Sequence, residues 1–269
     1  MTQVITFGNF KGGVGKTSNS TMVALELSNR DFKTLLVDLD PQGNATNLYL
    51  KTKLNISNEV GHFDKTLMSS VEDGNLDSSI INIKDNLDLL ASAPDFSLYP
   101  RYMEKLHNYN DRVKEFDRLL TPLKAKYDYV IIDIPPTISL ITDSALYASD
   151  YCLIVMQTHE HSFEGAEAFI KYIQEEVIDE YQAPSLELVG ILAVLLQAGA
   201  PVDEATVANA ISEFGEENLF KTRIHSMQRL KRYGITGITF KSKFDKRVFA
   251  VYKDVTDELL KRIEVIEHG

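Results

Sequence analysis

The sequence predicts an α/β fold: a single doubly wound, mostly parallel sheet with helices on both faces. Three observations carry this. Short, nearly continuous apolar runs recur along the chain, as strands buried on both faces do. Stretches with helical spacing separate them, which is the alternation of a parallel sheet. Two runs end in acids, at Asp38 and Asp133, where open α/β sheets bind ligands at the carboxyl edge. The 269 residues with 44% hydrophobic content suffice for one large domain and its core.

In chain order, Val4–Phe7 is the first strand, and Lys11-Gly12-Gly13-Val14-Gly15-Lys16-Thr17 follows it. Ser18–Asn29 then reads as a helix. A strand, a glycine-rich turn and a helix N-terminus in that order form a phosphate cradle, because the glycines let successive N–H groups point inward at an anion. Lys16 reaches the β- and γ-phosphates in such a loop, and the Thr17 hydroxyl ligates Mg²⁺. Phe10 stands where the standard motif has its first glycine. Lys33–Val37 is a buried strand that runs into Asp38-Leu39-Asp40-Pro41-Gln42-Gly43-Asn44, with Pro41 and Gly43 forming a turn. Ala45–Lys51 and Phe63–Val71 read as helices, Asn86–Ala91 as a strand and Pro94–Pro100 as a loop. Asp111–Lys126 has Val113, Phe116, Leu119, Leu120 and Leu123 at helical spacing.

Tyr127–Asp133 is a strand ending in an acid, the second half of a metal site begun by Thr17. Pro135 and Pro136 cannot extend a central strand and turn the chain. Asp143–Ser149 reads as a helix and Tyr151–Met156 as the next core strand, carrying the single cysteine, Cys152. One cysteine in an apolar run is a buried core thiol and supports no disulfide framework. His159 and His161 sit on a connection with no third ligand in view. Ser162–Tyr181 has helical spacing, Leu188–Leu196 is a strand, and Asp203–Phe214 is a helix. Phe220–Ile224 is expected as the last strand. Asp245–Glu267 is a long helix with Val248, Tyr252, Val255, Leu259, Ile263 and Ile266 on one face.

The net charge of −11 alone opposes nucleic-acid binding, yet it is unevenly spread. Lys221, Arg223, Arg229, Lys231, Arg232, Lys241, Lys243, Lys246 and Arg247 share their window with one acid, Asp245, so the window is net +8 and the remainder −19. Such an asymmetry is an electrostatic footprint for phosphates. No apolar run of about 18 residues is present to span a membrane, and Met1-Thr2-Gln3 runs straight into the first strand, without a leader pattern.

The paired lysines of Lys11-Gly12-Gly13-Val14-Gly15-Lys16-Thr17 resemble the deviant Walker A motif of the ParA/MinD family of P-loop ATPases. The run Asp38-Leu39-Asp40-Pro41-Gln42-Gly43-Asn44 resembles that family's first switch, and Asp133-Ile134-Pro135-Pro136 its second. The resemblance implies the P-loop NTPase fold over residues 1–269, without a separate N-terminal DNA-reading domain, as in the short, Soj-like ParA type. It implies an ATPase using ATP and Mg²⁺, with ATP held by residues 11–18 (Lys11, Gly12, Gly13, Val14, Gly15, Lys16, Thr17 and Ser18). Thr17 and Asp133 would hold Mg²⁺, with Asp38 and Asp40 acting through water. Lys11, Lys16 and Asp40 would be catalytic, Lys11 by reaching the partner's nucleotide in a face-to-face homodimer and Asp40 by positioning the attacking water.

The segment Ile224-His225-Ser226-Met227-Gln228-Arg229-Leu230 resembles a family segment whose arginine, here Arg229, contacts the DNA backbone. His225 stands at the family's proline, and a second expected arginine is absent from Gln197-Ala198-Gly199-Ala200. Lys231, Arg232, Lys241, Lys243, Lys246 and Arg247 would compensate, with Lys221 and Arg223 as further candidate DNA-binding residues. The resemblance further implies nonspecific DNA, a centromere-binding ParB-like adaptor, and a cytoplasmic, nucleoid-associated location. Two alternatives stand beside it: a MinD-like membrane-positioning ATPase, opposed by the acidic end of the last helix, and a small-molecule ATP-dependent ligase on the same fold.

Overall fold

The computed structural model describes residues 2–62, 64–158, 160–197 and 199–268, except for the side chains of Glu160 and His161. Its eight strands form one sheet in the order β3-β4-β2-β5-β1-β6-β7-β8. The strands are β1 (Gln3–Gly8), β2 (Thr34–Asp38), β3 (Ile80–Lys84), β4 (Leu87–Leu90), β5 (Tyr129–Asp133), β6 (Tyr151–Gln157), β7 (Glu187–Leu196) and β8 (Ile224–His225). All neighbours are parallel except β3 and β4.

Successive residues of each central strand serve opposite faces, because side chains alternate across a pleated strand. Val4, Leu35, Val37, Val130, Ile132, Cys152 and Ile154 enter one apolar cluster, and Ile5, Phe7, Leu36, Ile131, Leu153 and Val155 the other. The second face is covered by α1 (Lys16–Asn29), α2 (Asn44–Ser57), α9 (Gln228–Thr236) and α10 (Lys243–His268). The first face is covered by α3 (Leu67–Glu72), α4 (Tyr99–Met103), α5 (Tyr109–Lys124), α6 (Leu140–Tyr147), α7 (Glu160–Tyr172) and α8 (Pro201–Phe214). The doubly wound, mostly parallel α/β architecture expected from the sequence is the one observed.

Four local expectations change. Ile80–Lys84, not expected as a strand, forms the antiparallel edge β3 with Asn82 exposed between buried Ile81 and Ile83. Pro94–Pro100 is not a loop but a 3₁₀ turn, Pro94–Leu98, leading into α4, since proline is tolerated in a helix's first turn. The helix expected over Ser162–Tyr181 widens into a π-helix at Ile173–Glu180. The last strand, expected over Phe220–Ile224, is instead β8, Ile224–His225. Glu258 on α10 accepts the backbone N–H groups of Lys221 at 2.7 Å and Thr222 at 2.9 Å, which draws the chain off β7 until Ile224. Phe63 and His159, like Ala198, lie outside the described residues; the helix expected from Phe63 begins at Leu67, capped by Thr66, and the backbone of His161 lies in α7 and not on a connection.

Among the described residues no helix is long and apolar enough to cross a membrane. The long face of α10 packs inward as its spacing predicts: Val248, Tyr252, Val255, Leu259 and Ile263 are buried, whereas Ile266 is 39% exposed.

Candidate nucleotide-binding site and basic surface

The glycine-rich loop lies between β1 and α1. Gly13 and Gly15 have φ of +78° and +93°, a region in which a side chain would be strained, so glycine is required there. No side chain caps α1, which leaves its first-turn N–H groups directed at an incoming anion. Lys16 is buried, and its Nζ donates to the carbonyls of Asn9 at 2.9 Å and Lys11 at 3.3 Å. Burial lowers its pKa, against the pull of Asp133 and Asp40. The Lys11 side chain is exposed and has no partner among the described residues.

The carboxyl ends of β2 and β5 bring the acids together, since the sheet register pairs Asp38 with Asp133. Asp133 is fully buried; Thr17 Oγ1 donates to its Oδ2 at 2.7 Å and Ser20 Oγ to its Oδ1 at 3.2 Å. Burial raises the pKa of Asp133, opposed by the Thr17 hydroxyl and the Lys16 ammonium. Asp38 is also fully buried and raised, first by burial and then by the charge of Asp133. Its oxygens accept Thr46 N and Thr46 Oγ1, each at 2.8 Å, and Asp40 N at 3.1 Å. Asp38 thus pins the switch-like loop to α2. Asp40 is partly exposed; its Oδ1 accepts Gln42 N at 2.9 Å and its carboxylate lines the cleft.

That cleft, about 1110 Å³, is lined by Gly13, Gly15, Lys16, Thr17, Ser18, Asp40 and Pro136, and on its far side by Lys51, Lys231 and Tyr233. The Thr17 hydroxyl and the Asp40 carboxylate line it, and Asp133 lies buried behind Thr17; such hard oxygen donors are the set that suits Mg²⁺. The sequence-predicted Thr17, Asp40 and Asp133 therefore meet in one place. Sequence reasoning missed Ser20 and Thr46, which hold the two buried carboxylates, and Asn9, which braces the loop. Their signal was weak: small polar residues one helical turn or one loop away from the motif. It also missed Asn19, whose Nδ2 donates to Gly15 O at 2.8 Å while its Oδ1 accepts the Tyr252 hydroxyl at 3.1 Å, tying α10 to the loop.

The basic window is divided. Lys231, Arg232, Lys241, Lys243, Lys246 and Arg247 are exposed on α9, the 237–242 connection and the first turn of α10. None has an acidic partner among the described residues. Arg229 is different. Its Nε donates to Asp245 at 2.5 Å and its Nη2 to the Thr239 hydroxyl, leaving the side chain about one-fifth exposed. Lys221 lines a separate groove beside Asp254, Asp257 and Glu258, and Arg223 is exposed ahead of β8.

Residues 2–188 match the family model described as an AAA domain. The chain is 31% identical over 221 residues to the chromosome partitioning protein ParA of Myxococcus xanthus, covering 80% of this chain and 72% of that protein. Among solved structures it is similar to a plasmid partition protein of Borrelia burgdorferi, with a TM-score of 0.72 and 21% identity over 97% of this chain and 99% of that one. It is also similar to the cobyrinic acid a,c-diamide synthase of Mycobacterium smegmatis with bound ATP analogue and magnesium, with a TM-score of 0.78 and 22% identity over 97% and 95%. At those identities the two structures speak to the fold. The motifs, the fold and the matched relatives agree: this chain belongs to the ParA family of partition ATPases.

Proposed function

We propose that the chain moves genetic cargo by an ATP-gated grip on DNA. The observation that carries this is the set of six exposed cations between Lys231 and Arg247, with no acidic partner among the described residues, on a chain that is net −19 outside residues 221–247. Lysines and arginines displayed this way neutralise phosphates without reading sequence. The cations adjoin the cleft, which Lys231 itself lines.

In this reading the loop N–H groups and Lys16 hold the phosphates of ATP, as the ATP analogue in the Mycobacterium smegmatis synthase suggests. Thr17 and Asp133 would hold Mg²⁺, which supplies charge neutralisation at the phosphates. Asp40, at the rim of the cleft, orients water by accepting its proton in a hydrogen bond. Two copies close face to face, and Lys11, whose side chain has no partner among the described residues, reaches the other copy's phosphates. Closure sets two basic corners into one DNA-holding surface. Hydrolysis, stimulated by a centromere-binding ParB-like adaptor, reopens the pair in the cytoplasm on the nucleoid.

The test is binding of a random-sequence duplex with ATP, ADP or no nucleotide at two salt concentrations. Binding that requires ATP and weakens with salt supports the reading; binding that ignores nucleotide, or fails to occur, removes it. A second reading, an ATP-dependent amide-forming ligase, is favoured by the TM-score of 0.78 to the cobyrinic acid synthase. It predicts turnover that rises with a carboxylic-acid metabolite and ignores DNA.

A further inference from the structure

Asn9 is 1% exposed and lies between β1 and the phosphate loop. Its side chain uses three hydrogen bonds. Nδ2 donates to Val155 O on β6 at 3.0 Å and to Ser162 O on α7 at 3.3 Å; Oδ1 accepts the backbone N–H of Lys11 at 2.7 Å. The Ser162 hydroxyl in turn accepts Gln157 N at 2.9 Å, closing β6 onto α7. Gly165 on α7 faces this arrangement. A Cβ there would stand 2.8 Å from Asn9 Oδ1 and 3.3 Å from Lys11 Cβ, so only glycine leaves Asn9 and Lys11 where they are.

From these contacts we infer that Asn9 and Gly165 form a latch that fixes the peptide of Lys11, and so the direction in which its side chain leaves the loop. Asn9 is a positioning residue acting through Lys11, and this rests on the reading that Lys11 serves the partner's nucleotide. The latch acts chiefly on the first lysine: Lys16 bonds the main-chain carbonyls of Asn9 at 2.9 Å and Lys11 at 3.3 Å, groups that a side-chain change at Asn9 keeps. A long, flexible, unpartnered lysine gains reach at an entropic cost. Fixing its backbone on β6 and α7 removes part of that cost before the second copy arrives.

The experiment compares wild type with Asn9→Ala, Gly165→Ala, the double variant and Lys11→Ala. Each is measured for binding of a fluorescent ATP analogue, ATP-dependent dimerisation by sedimentation, steady-state turnover, and melting temperature. Asn9→Ala and Gly165→Ala should each weaken dimerisation and kcat about 5- to 10-fold, the effect of losing or displacing the one hydrogen bond that reaches Lys11. Analogue affinity should stay within about 2-fold, because the Lys16 contact is to backbone. Gly165→Ala keeps every hydrogen-bonding group and favours helix, so its loss of turnover without a matching fall in melting temperature separates positioning from misfolding. In the double variant the added methyl no longer meets Asn9 Oδ1, so its defect should not exceed that of Asn9→Ala alone. Full dimerisation and turnover in Asn9→Ala, beside a defective Lys11→Ala, would overturn the latch and spare the reading of Lys11. Unimpaired Lys11→Ala would overturn both. Parallel loss of analogue affinity and turnover would also overturn the latch, by showing that Asn9 shapes the cradle itself.

Discussion

Replacing Arg229 by alanine should destabilise the α9–α10 corner before it affects any DNA contact. Asp245 is fully buried and accepts from Arg229 Nε at 2.5 Å, Tyr233 Oη at 2.7 Å and Ser242 N at 2.9 Å, with Thr239 alongside. Burial alone would raise the carboxyl pKa, yet Arg229, the Ser242 N–H and the Tyr233 hydroxyl outweigh it and hold the group well below the usual carboxylate range. Removing one partner of a buried ion pair costs roughly 3–5 kcal/mol. Arg229 is partly exposed and the other donors remain, so about 2 kcal/mol is expected, a fall in Tm of roughly 4–8 °C. The assay is urea or thermal unfolding across pH. A depressed folded-state pKa gives stability that is present above the unfolded value, about 3.9, and is lost as pH falls toward the folded value. The gap between wild type and Arg229→Ala should therefore hold from pH 5 to 8 and shrink below about 4. An unchanged Tm together with a DNA salt slope reduced by about 0.9 would refute the reasoning and make Arg229 a phosphate contact.

Single alanine substitutions at Lys241, Lys243 or Arg247 should leave Tm within about 1–2 °C, as exposed sites do, and each that touches a phosphate should lower the salt slope by about 0.9, read by fluorescence anisotropy at several salt concentrations. Thr17→Ala should cut ATP turnover at least about 100-fold with little change in urea midpoint, because the lost hydroxyl leaves Asp133 the Ser20 hydroxyl as a donor; retained Mg²⁺-dependent turnover would remove Thr17 from the metal site. Cys152 is fully buried and burial raises its thiol pKa, so a thiol reagent at pH 8 should react only on unfolding; its reaction rate against urea should track the unfolding curve.

The parts of the fold read correctly from sequence were those in which local pattern and tertiary demand agree. β5 is apolar because both faces are covered, and its closing acid sits at the carboxyl edge because parallel strands deliver their ends there. Thr17, Asp40 and Asp133 were legible since the loop chemistry needs those residue types at those spacings. What was hidden depended on distant partners. Nothing near Phe220 announces that Glu258 will take its neighbours' N–H groups and end a strand. Arg229, read from the resemblance as a DNA-backbone contact, gave no sign of its ion pair, because Asp245, sixteen residues on, is brought beneath it only when α10 folds against α9. Nothing in the sequence singles out Asn9, although β6 and α7 converge on its side chain.

The hydrogen-bond relay from Gly15 through Asn19 to Tyr252 gives the molecule the character of a lever. Tyr252 lies eight residues along α10 from Phe244, about 12 Å of continuous helix, and the first turn of that helix displays Lys243, Lys246 and Arg247. The carbonyl that ends the phosphate loop is thus tied through Asn19 to the middle of the same helix whose start displays the cations, with a buried tyrosine hydroxyl at the joint. Between the loop at Gly15 and the basic corner stand two side-chain hydrogen bonds and a stretch of continuous helix.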